Sequence, residues 1–130
     1  MRMKQISIFI ENKPGRLLAI LNILNKLRIN IKGMSVSDAS EIGIVRMILT
    51  DPDLALKELQ LSGFTVRMDS VLGVEIQDVP GGLLHGVAEP IAKANINLQY
   101  FYAYTEPSTQ KIVAIIKVDD PEKAEKVLKN

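Results

Sequence analysis

Residues 14–18 read PGRLL, and residues 80–84, which lie 66 positions later, read PGGLL. Each stretch follows a run of alternating apolar residues, which is typical of a strand, and precedes apolar residues at helical spacing. A Pro-Gly pair is a turn signal, because proline fixes its own φ and glycine accepts a left-handed backbone. The chain is therefore predicted to contain the succession of strand, tight turn and amphipathic helix twice.

The repetition extends beyond these turns. Residues 29–31 (INI) match residues 96–98 (INL) at an offset of 67, and the Asp-Pro pair at 51–52 recurs at 120–121, at an offset of 69. The added positions are expected in loops or at helix ends. We predict two repeats, one at residues 1–69 and the other at residues 70–130.

The first repeat reads as βαββαβ. Its predicted elements are a strand at 4–10, a helix at 15–27, strands at 31–38 and 43–50 around a hairpin loop at 39–41, a helix from 52 that ends before Gly63, and a strand at 64–68. Asp51 is expected to cap the second helix, and Pro52 follows at a position where a missing N–H costs nothing. This order is typical of the ferredoxin-like arrangement, an antiparallel sheet with both helices on one face, so we predict the α+β class.

The second repeat follows the same order with two departures. Its predicted elements are strands at 71–77, 97–105 and 111–118 and helices at 81–94 and 122–129. Pro90 lies inside the first of these helices and should kink or break it near Gly86, because proline has no N–H to donate. The repeat also lacks its last strand, which leaves a sheet edge that something must cover.

The composition excludes several classes of protein. Of the 130 residues, 47% are apolar and 24% are charged, which is typical of a folded domain, and a net charge of +1 provides no basic field for nucleic acid. Without cysteine and with one histidine, the chain has no disulfide, thiol chemistry or histidine-cluster metal site. It lacks the long apolar run of a membrane span and a signal peptide. We expect a cytoplasmic, non-enzymatic protein without cofactor, metal, membrane or nucleic-acid partner.

Residues 11–17 (ENKPGRL), the following helix and residues 29–31 (INI) resemble the ACT domain. This is the small amino-acid-sensing module of phosphoglycerate dehydrogenase, aspartokinase and the regulatory subunit of acetolactate synthase. The resemblance covers essentially the whole chain, twice, and is greatest to free-standing tandem ACT proteins. It implies a βαββαβ fold in each repeat and effector contacts from Asn12 and Asn30.

The chemistry of such a site can be read from the residues. The N–H groups of Gly15, Arg16 and Leu17 lie at the positive end of a helix dipole, which suits a carboxylate, and the amide oxygens of asparagine can accept an ammonium group. The candidate ligand-binding residues of the first repeat are Asn12, Pro14, Gly15, Arg16, Leu17 and Asn30. Those of the second are Asp78, Gly81, Gly82, Leu83 and Asn97.

The two sites are not expected to be equivalent. Asp78 stands where the first repeat has Asn12, and its charge would attract an ammonium group and repel a nearby carboxylate. Structural roles remain as alternatives, since Asn12 and Asp78 suit a turn or N-cap and Asn30 and Asn97 suit a helix C-cap. His85 is expected to be a surface or packing residue without a carboxylate partner.

Three tyrosines, Tyr100, Tyr102 and Tyr104, alternate along one predicted strand and therefore share a face. Phe101 and Ala103 are expected to face the core, which places the tyrosines on the face without helices. An exposed aromatic row usually marks an interface, so we predict that the three rings lie at the centre of a homodimer contact. The alternatives are an aromatic-rich strand without such a role and contact with the ligand.

These features favour a non-catalytic regulator that senses a free amino acid between repeats or subunits and modulates a metabolic enzyme. One alternative is a small regulatory subunit of an amino-acid biosynthetic enzyme such as acetolactate synthase. Another is an enzyme of ferredoxin-like fold, which would need an acid/base pair. Arg16 indicates an anionic group near the first site, either on the ligand or on a partner.

Overall fold

The computed structural model describes residues 1–39 and 41–128. Its strands are β1 (Arg2–Glu11), β2 (Ile31–Ala39), β3 (Ile42–Leu49), β4 (Thr65–Gln77), β5 (Leu98–Glu106) and β6 (Lys111–Val118). Its helices are α1 (Arg16–Lys26), α2 (Pro52–Leu61), a π-helix (Leu84–Ala88), α3 (Glu89–Lys93) and α4 (Pro121–Leu128). The predicted loop residue Ser40 and the predicted helix end at Lys129 lie outside the described residues.

The chain divides into two compact units. One is Lys4–Ser70, and the other joins Met1–Met3 to the chain from Val71 onward. Each has antiparallel strands with helices packed on one face, which confirms the predicted α+β fold of two ferredoxin-like repeats. None of the helices in the described ranges is long and apolar enough to cross a bilayer.

The first unit follows its predicted pattern closely. Its strand order is β2-β3-β1-β4, and β1 pairs with β3 so that Ile6 lies opposite Met47. The even-numbered isoleucines of β1 are buried against the apolar stripes of α1 and α2, in a core of Ile6, Ile8, Ile10, Ile20, Leu24, Val45, Met47, Ala55 and Leu59. The predicted cap is confirmed, since Asp51 accepts the N–H of Leu54 at 3.2 Å and Pro52 begins α2.

In the second unit β4, β6 and β5 lie side by side, and the edge that the missing strand was expected to leave is covered by the chain itself. Within the described residues no strand follows α4. The N–H of Gly73, in β4, donates to the carbonyl of Met1 at 2.6 Å. Gly73 is paired with Ile115 of β6 but gives its N–H to Met1, so this bond is on the side of β4 away from β6. Met1–Met3 therefore occupy the place of the absent strand.

The junction between the repeats differs from the prediction of two strands, 64–68 and 71–77. The structure has one continuous strand, β4, because neither Gly nor Pro interrupts residues 65–72. At the expected boundary Asp69 accepts the hydroxyl of Ser7 at 2.6 Å and pairs with Arg67 at 2.8 Å. These contacts lie in extended backbone at the predicted boundary between the repeats.

The first helix of the second unit also differs from the prediction. The residues predicted as a helix at 81–94 form a π-helix followed by the short α3, and the N–H of Glu89 donates to the carbonyl of Leu84, five residues earlier. A π-turn holds one residue more than an α-turn. The offset between the repeats grows from 66 to 67 between the Pro-Gly turn and the next strand, so the second repeat has one additional residue there. We assign this residue to the π-turn, whereas it was expected in a loop or at a helix end. Pro90, which donates no N–H, is tolerated in the first turn of α3.

Candidate functional site

The start of α1 is the most open helix start of the first unit. Its N-cap is Gly15, which has φ +87° and no side chain to accept a hydrogen bond, and the first turn contains no acidic residue. By contrast, α2 has the Asp51 cap and Asp53 in its first turn. The N–H of Arg16 makes only a long bond of 3.4 Å to the carbonyl of Lys13. The positive end of the α1 dipole is thus available to an anion.

Asn12 lies beside this helix start in an open depression. Its backbone N–H donates to the carbonyl of Glu41 at 2.9 Å, and its amide nitrogen donates to Asp38 at 3.4 Å. Within the described residues its amide oxygen accepts no hydrogen bond. The depression has a volume of about 510 Å³ and is lined by Glu11, Asn12, Lys13, Glu41 and Ile42. Asn12 therefore has a turn role and still offers one acceptor to a ligand.

The rim of the depression carries both signs of charge. Lys13 pairs with the Glu11 carboxylate at 2.9 Å. Its hydrogen bond and its charge lower the pKa of Glu11, and the charge of Arg16 adds to the effect. Glu11 is therefore ionised at neutral pH and, together with Asp38, offers carboxylate oxygens next to Asn12.

Asn30 lies at the other end of the first unit. Its N–H donates to the hydroxyl of Thr50 at 3.0 Å, and the N–H of Thr50 donates to the carbonyl of Asn30 at 3.0 Å. Strand β2 runs from this end to Ala39, which lies opposite Ile42, while Ile42 also lies opposite Glu11. At about 3.3 Å per residue, the length of β2 separates Asn30 from Asn12 by roughly 26 Å. The structure does not bring the two asparagines of one unit together.

The C-cap interpretation of Asn30 and Asn97 is wrong. The C-caps of α1 and α3 are Leu27 and Ala94. Asn97 instead repeats the pairing of Asn30, since its N–H donates to the Asp119 carboxylate at 3.1 Å and its carbonyl accepts the N–H of Asp119 at 3.2 Å. Both asparagines fix the start of a strand and leave their amide groups exposed.

The Pro-Gly turn of the second unit has the same backbone hydrogen bonds as the first. The N–H of Gly82 donates to the carbonyl of Val79 at 3.0 Å, a shorter bond than its counterpart between Arg16 and Lys13. A Cβ atom on Gly82 would lie 2.5 Å from the carbonyl oxygen of Gln77, so the turn is tight because the side chain is absent. Asp78 is exposed beside it.

The remaining predicted residues divide between surface and core. Pro14, Gly81 and Leu83 are exposed, whereas the half-buried Leu17 packs against the first core. Leu17 can therefore offer a ligand its N–H but not its side chain.

His85 has a carboxylate partner, contrary to the expectation. Its Nδ1 lies 2.5 Å from Oε1 of Glu89, one turn later. The imidazole is exposed, as predicted for a surface residue, with 71% of its side chain accessible. In the part of the chain that the structure describes, no cluster of three or more His, Cys, Asp or Glu side chains could hold a metal ion.

The tyrosines lie on the predicted face of the sheet but are not fully exposed. Phe101 lies opposite Ile116, a residue of the helix-packed core, so Tyr102, opposite Ile115, is on the face without helices. All three rings are half-buried, while Phe101 is 39% exposed, the reverse of the expectation. Burial, with the charges of Glu106 and Glu75, raises the pKa of Tyr104. Phe101 is exposed because β5 is the edge strand that the helices do not cover.

Three residues at the first site were not found by sequence analysis. Glu41 lies in the turn before β3 and Ile42 begins β3, and only the strand pairing brings them to Asn12. Phe64 lies beneath Arg16, with its ring centroid 5.1 Å from the guanidinium carbon. The predicted βαββαβ order could have indicated Glu41 and Ile42, whereas no sequence pattern pointed to Phe64.

Known proteins resemble the chain over its whole length. The ACT domain pair family matches residues 1–130. Protein BT0572 from Bacteroides thetaiotaomicron superposes with a TM-score of 0.89 and 32% identity over 99% of this chain and 88% of that one. The regulatory subunits of aspartate kinase from Thermus thermophilus and Thermus flavus give TM-scores of 0.68 and 0.64 at 14% and 15% identity, each over 96% of this chain and 87% of theirs. No curated protein sequence matches the chain significantly.

Proposed function

Because the chain belongs to the ACT domain pair family, we propose that it is a non-catalytic regulator that binds a free amino acid and modulates a metabolic enzyme. The uncapped start of α1 beside Asn12 is the observation that carries this proposal. A helix start without a cap or an acidic residue costs stability unless a ligand or water satisfies its N–H groups.

The groups around this helix start match those of an amino acid. The α-carboxylate suits the N–H groups at the start of α1, since Gly15 lets the ligand approach the backbone. The ammonium suits the amide oxygen of Asn12 and the ionised Glu11. An amino acid satisfies both ends of the depression at once, which a simple anion or cation does not.

The separation of Asn12 from Asn30 favours a site between two chains. Roughly 26 Å along β2 is far longer than one amino acid, so both asparagines contact one effector only if they come from different copies. A two-fold axis would place Asn30 of one chain at Asn12 of the other and form two identical sites. We therefore expect a homodimer, and a wall from the second copy would exclude water from the open depression.

Two steps test the proposal. A melting-temperature screen of the twenty amino acids should find an effector that raises the melting temperature, with a stabilisation of about 2.7 kcal/mol at a hundred times its dissociation constant. The variants Asn12→Ala and Asn30→Ala should each lose binding and keep their apo melting temperatures. Asn25→Ala, an exposed change on α1, is the matched control and should bind as the unmodified chain does.

Mixing the two inactive variants tests where the site lies. Mixed dimers have one site with both asparagines intact and one with neither, so random exchange should restore binding at about a quarter of all sites. If each variant binds normally, the assignment of the asparagines is wrong. If mixing restores nothing, the site does not lie between chains. A protein that no amino acid stabilises contradicts the proposal as a whole.

A further inference from the structure

The outer edge of β2 has no neighbouring strand in the part of the chain that the structure describes. The strand stands last in the order β2-β3-β1-β4, so its outer N–H and C=O groups face no other strand. Its pairing with β3 is regular from Gly33 to Asp38, and the register shift lies before Gly33. A regular edge of this length can pair with a strand of another chain.

Two apolar side chains of this edge strand are exposed. Met34 is 40% exposed and Val36 is 53% exposed, although they lie opposite Met47 and Val45, which are fully buried in the first core. The helices of the first unit therefore cover the inner strand and leave the edge strand uncovered. Exposed apolar side chains beside an unpaired edge favour association with a further strand.

The sequence of β2 is complementary to itself when two copies run antiparallel around Ser35. In that register Met34 lies opposite Val36 of the second copy, and Lys32 lies opposite Asp38 of the second copy. Each pair occurs twice, because the two-fold axis passes through Ser35. Lys32 and Asp38 are both exposed. Cross-strand pairs of apolar side chains and of opposite charges stabilise a sheet, so this register is favoured.

Strand β5, the edge strand of the second unit, lacks this complementarity. Antiparallel pairing around Tyr102 would place Leu98 opposite Glu106 of the second copy, an apolar side chain against a charged one. Glu106 is the one charged residue of β5, so two copies of this strand have no cation to set against it. The charge pattern therefore distinguishes β2 from β5.

We propose that β2 pairs with β2 of a second copy, antiparallel and centred on Ser35, so that two first units share one continuous sheet. The expectation of a homodimer rests on the proposed function, whereas the choice of β2 depends on the strand alone and on no ligand. The register brings the start of β2, next to Asn30, to the end of β2 in the second copy. The interface differs from the one that the sequence predicted at the tyrosines of β5.

The chain contains no cysteine, so single cysteines in β2 test the register by disulfide cross-linking. Ser35→Cys should form a disulfide-linked dimer under mild oxidation, because opposite Cα atoms of antiparallel strands lie about 4.5 to 5.5 Å apart, within the range of a disulfide. Ser37→Cys, on the same face and more exposed, is the matched control. Its two copies would lie four residues apart along the strands, roughly 13 Å, and should not cross-link.

Charge reversal gives a second readout on the full chain without ligand. Lys32→Glu sets like charges opposite each other twice and should raise the dissociation constant of the dimer roughly 10-fold, measured by sedimentation equilibrium. Adding Asp38→Lys restores opposite charges and should recover the affinity. Lys57→Glu makes the same charge change on an exposed residue of α2 and should leave the dissociation constant unchanged.

Several results would overturn the inference. They are a monomeric unmodified chain at tens of micromolar, a Ser37→Cys variant that cross-links as well as Ser35→Cys, and a dimer that Lys32→Glu does not weaken. Cross-linking by Tyr102→Cys in place of Ser35→Cys would assign the contact to β5. An amino acid that stabilises the chain while Ser35→Cys fails to cross-link contradicts this interface alone. Failure of every amino acid to stabilise it contradicts the proposed function instead.

Discussion

The two Pro-Gly turns of the chain have the same backbone hydrogen bonds and different chemistry. In the first, Arg16 follows the glycine and α1 begins at once, with its N–H groups uncapped. In the second, Gly82 takes the place of the arginine, the turn is tighter and a π-helix follows. The comparison shows that the two turns keep the same backbone hydrogen bonds and differ in their side chains and in one added residue of the helix that follows.

The largest effect in this comparison is expected for Gly82→Ala. Its Cβ would lie 2.5 Å from the carbonyl oxygen of Gln77, so the turn must loosen toward the geometry seen at Arg16. We expect a loss of about 2 kcal/mol in the free energy of unfolding, measured by urea denaturation. Arg16→Ala, which also introduces alanine, at the matching position of the first unit, should lower the free energy of unfolding far less. Equal losses would show that the two turns are equally tight.

The second helices of the two units should have equivalent N-terminal caps, although the starts of the two first helices differ. Asp51 accepts the N–H of Leu54, and Asp120 accepts that of Lys123 at 3.1 Å. Replacing either aspartate by alanine should therefore destabilise the protein by about 1 kcal/mol, measured in the same way. Lys57→Ala, an exposed change inside α2, is the control. A loss at one cap only would mean that the units differ in both helices.

The smallest expected effect concerns the charge at the first turn. Lys13→Met removes the main cause of the low pKa of Glu11, so NMR titration should find that pKa closer to its ordinary value. A lowered pKa in the folded state adds stability above the pKa of the unfolded chain, and this contribution is lost as the pH falls through the folded value. The second unit has Gln77 and Val79 at these positions and should show no such dependence. An unchanged Glu11 pKa in Lys13→Met contradicts this account.

The parts of the fold that depend on local pattern could be predicted from the sequence. Alternation in β1, the apolar stripe of α1 and the Asp-Pro caps all act within one element, and the repeat gave each of them a second instance. The duplicated order of elements indicated the fold, and together with residues 11–17 and 29–31 it indicated the family.

The errors concern distances between elements. The sequence predicted that Asn12 and Asn30 of one repeat contact the same effector. The strand order places them at opposite ends of the first unit. The π-helix was missed because an added residue in a helix leaves no composition signal when the apolar spacing recovers after it. The exposures of Tyr102 and Phe101 were reversed because face alone does not decide burial, and β5 is an edge strand that the helices leave uncovered.

The hydrogen bond from Gly73 to Met1 makes the second unit discontinuous in sequence. In terms of folding topology, the first unit is an insertion between the two parts of the second, which closes a loop of about 70 residues when Met1–Met3 reach β4. A loop of unfolded chain of that length carries a substantial entropy cost, whereas a loop that is already a folded domain has lost most of that freedom beforehand. The folded first unit therefore lowers the entropy cost of bringing Met1–Met3 to β4. Its unfolding would raise that entropy cost and so destabilise the second unit.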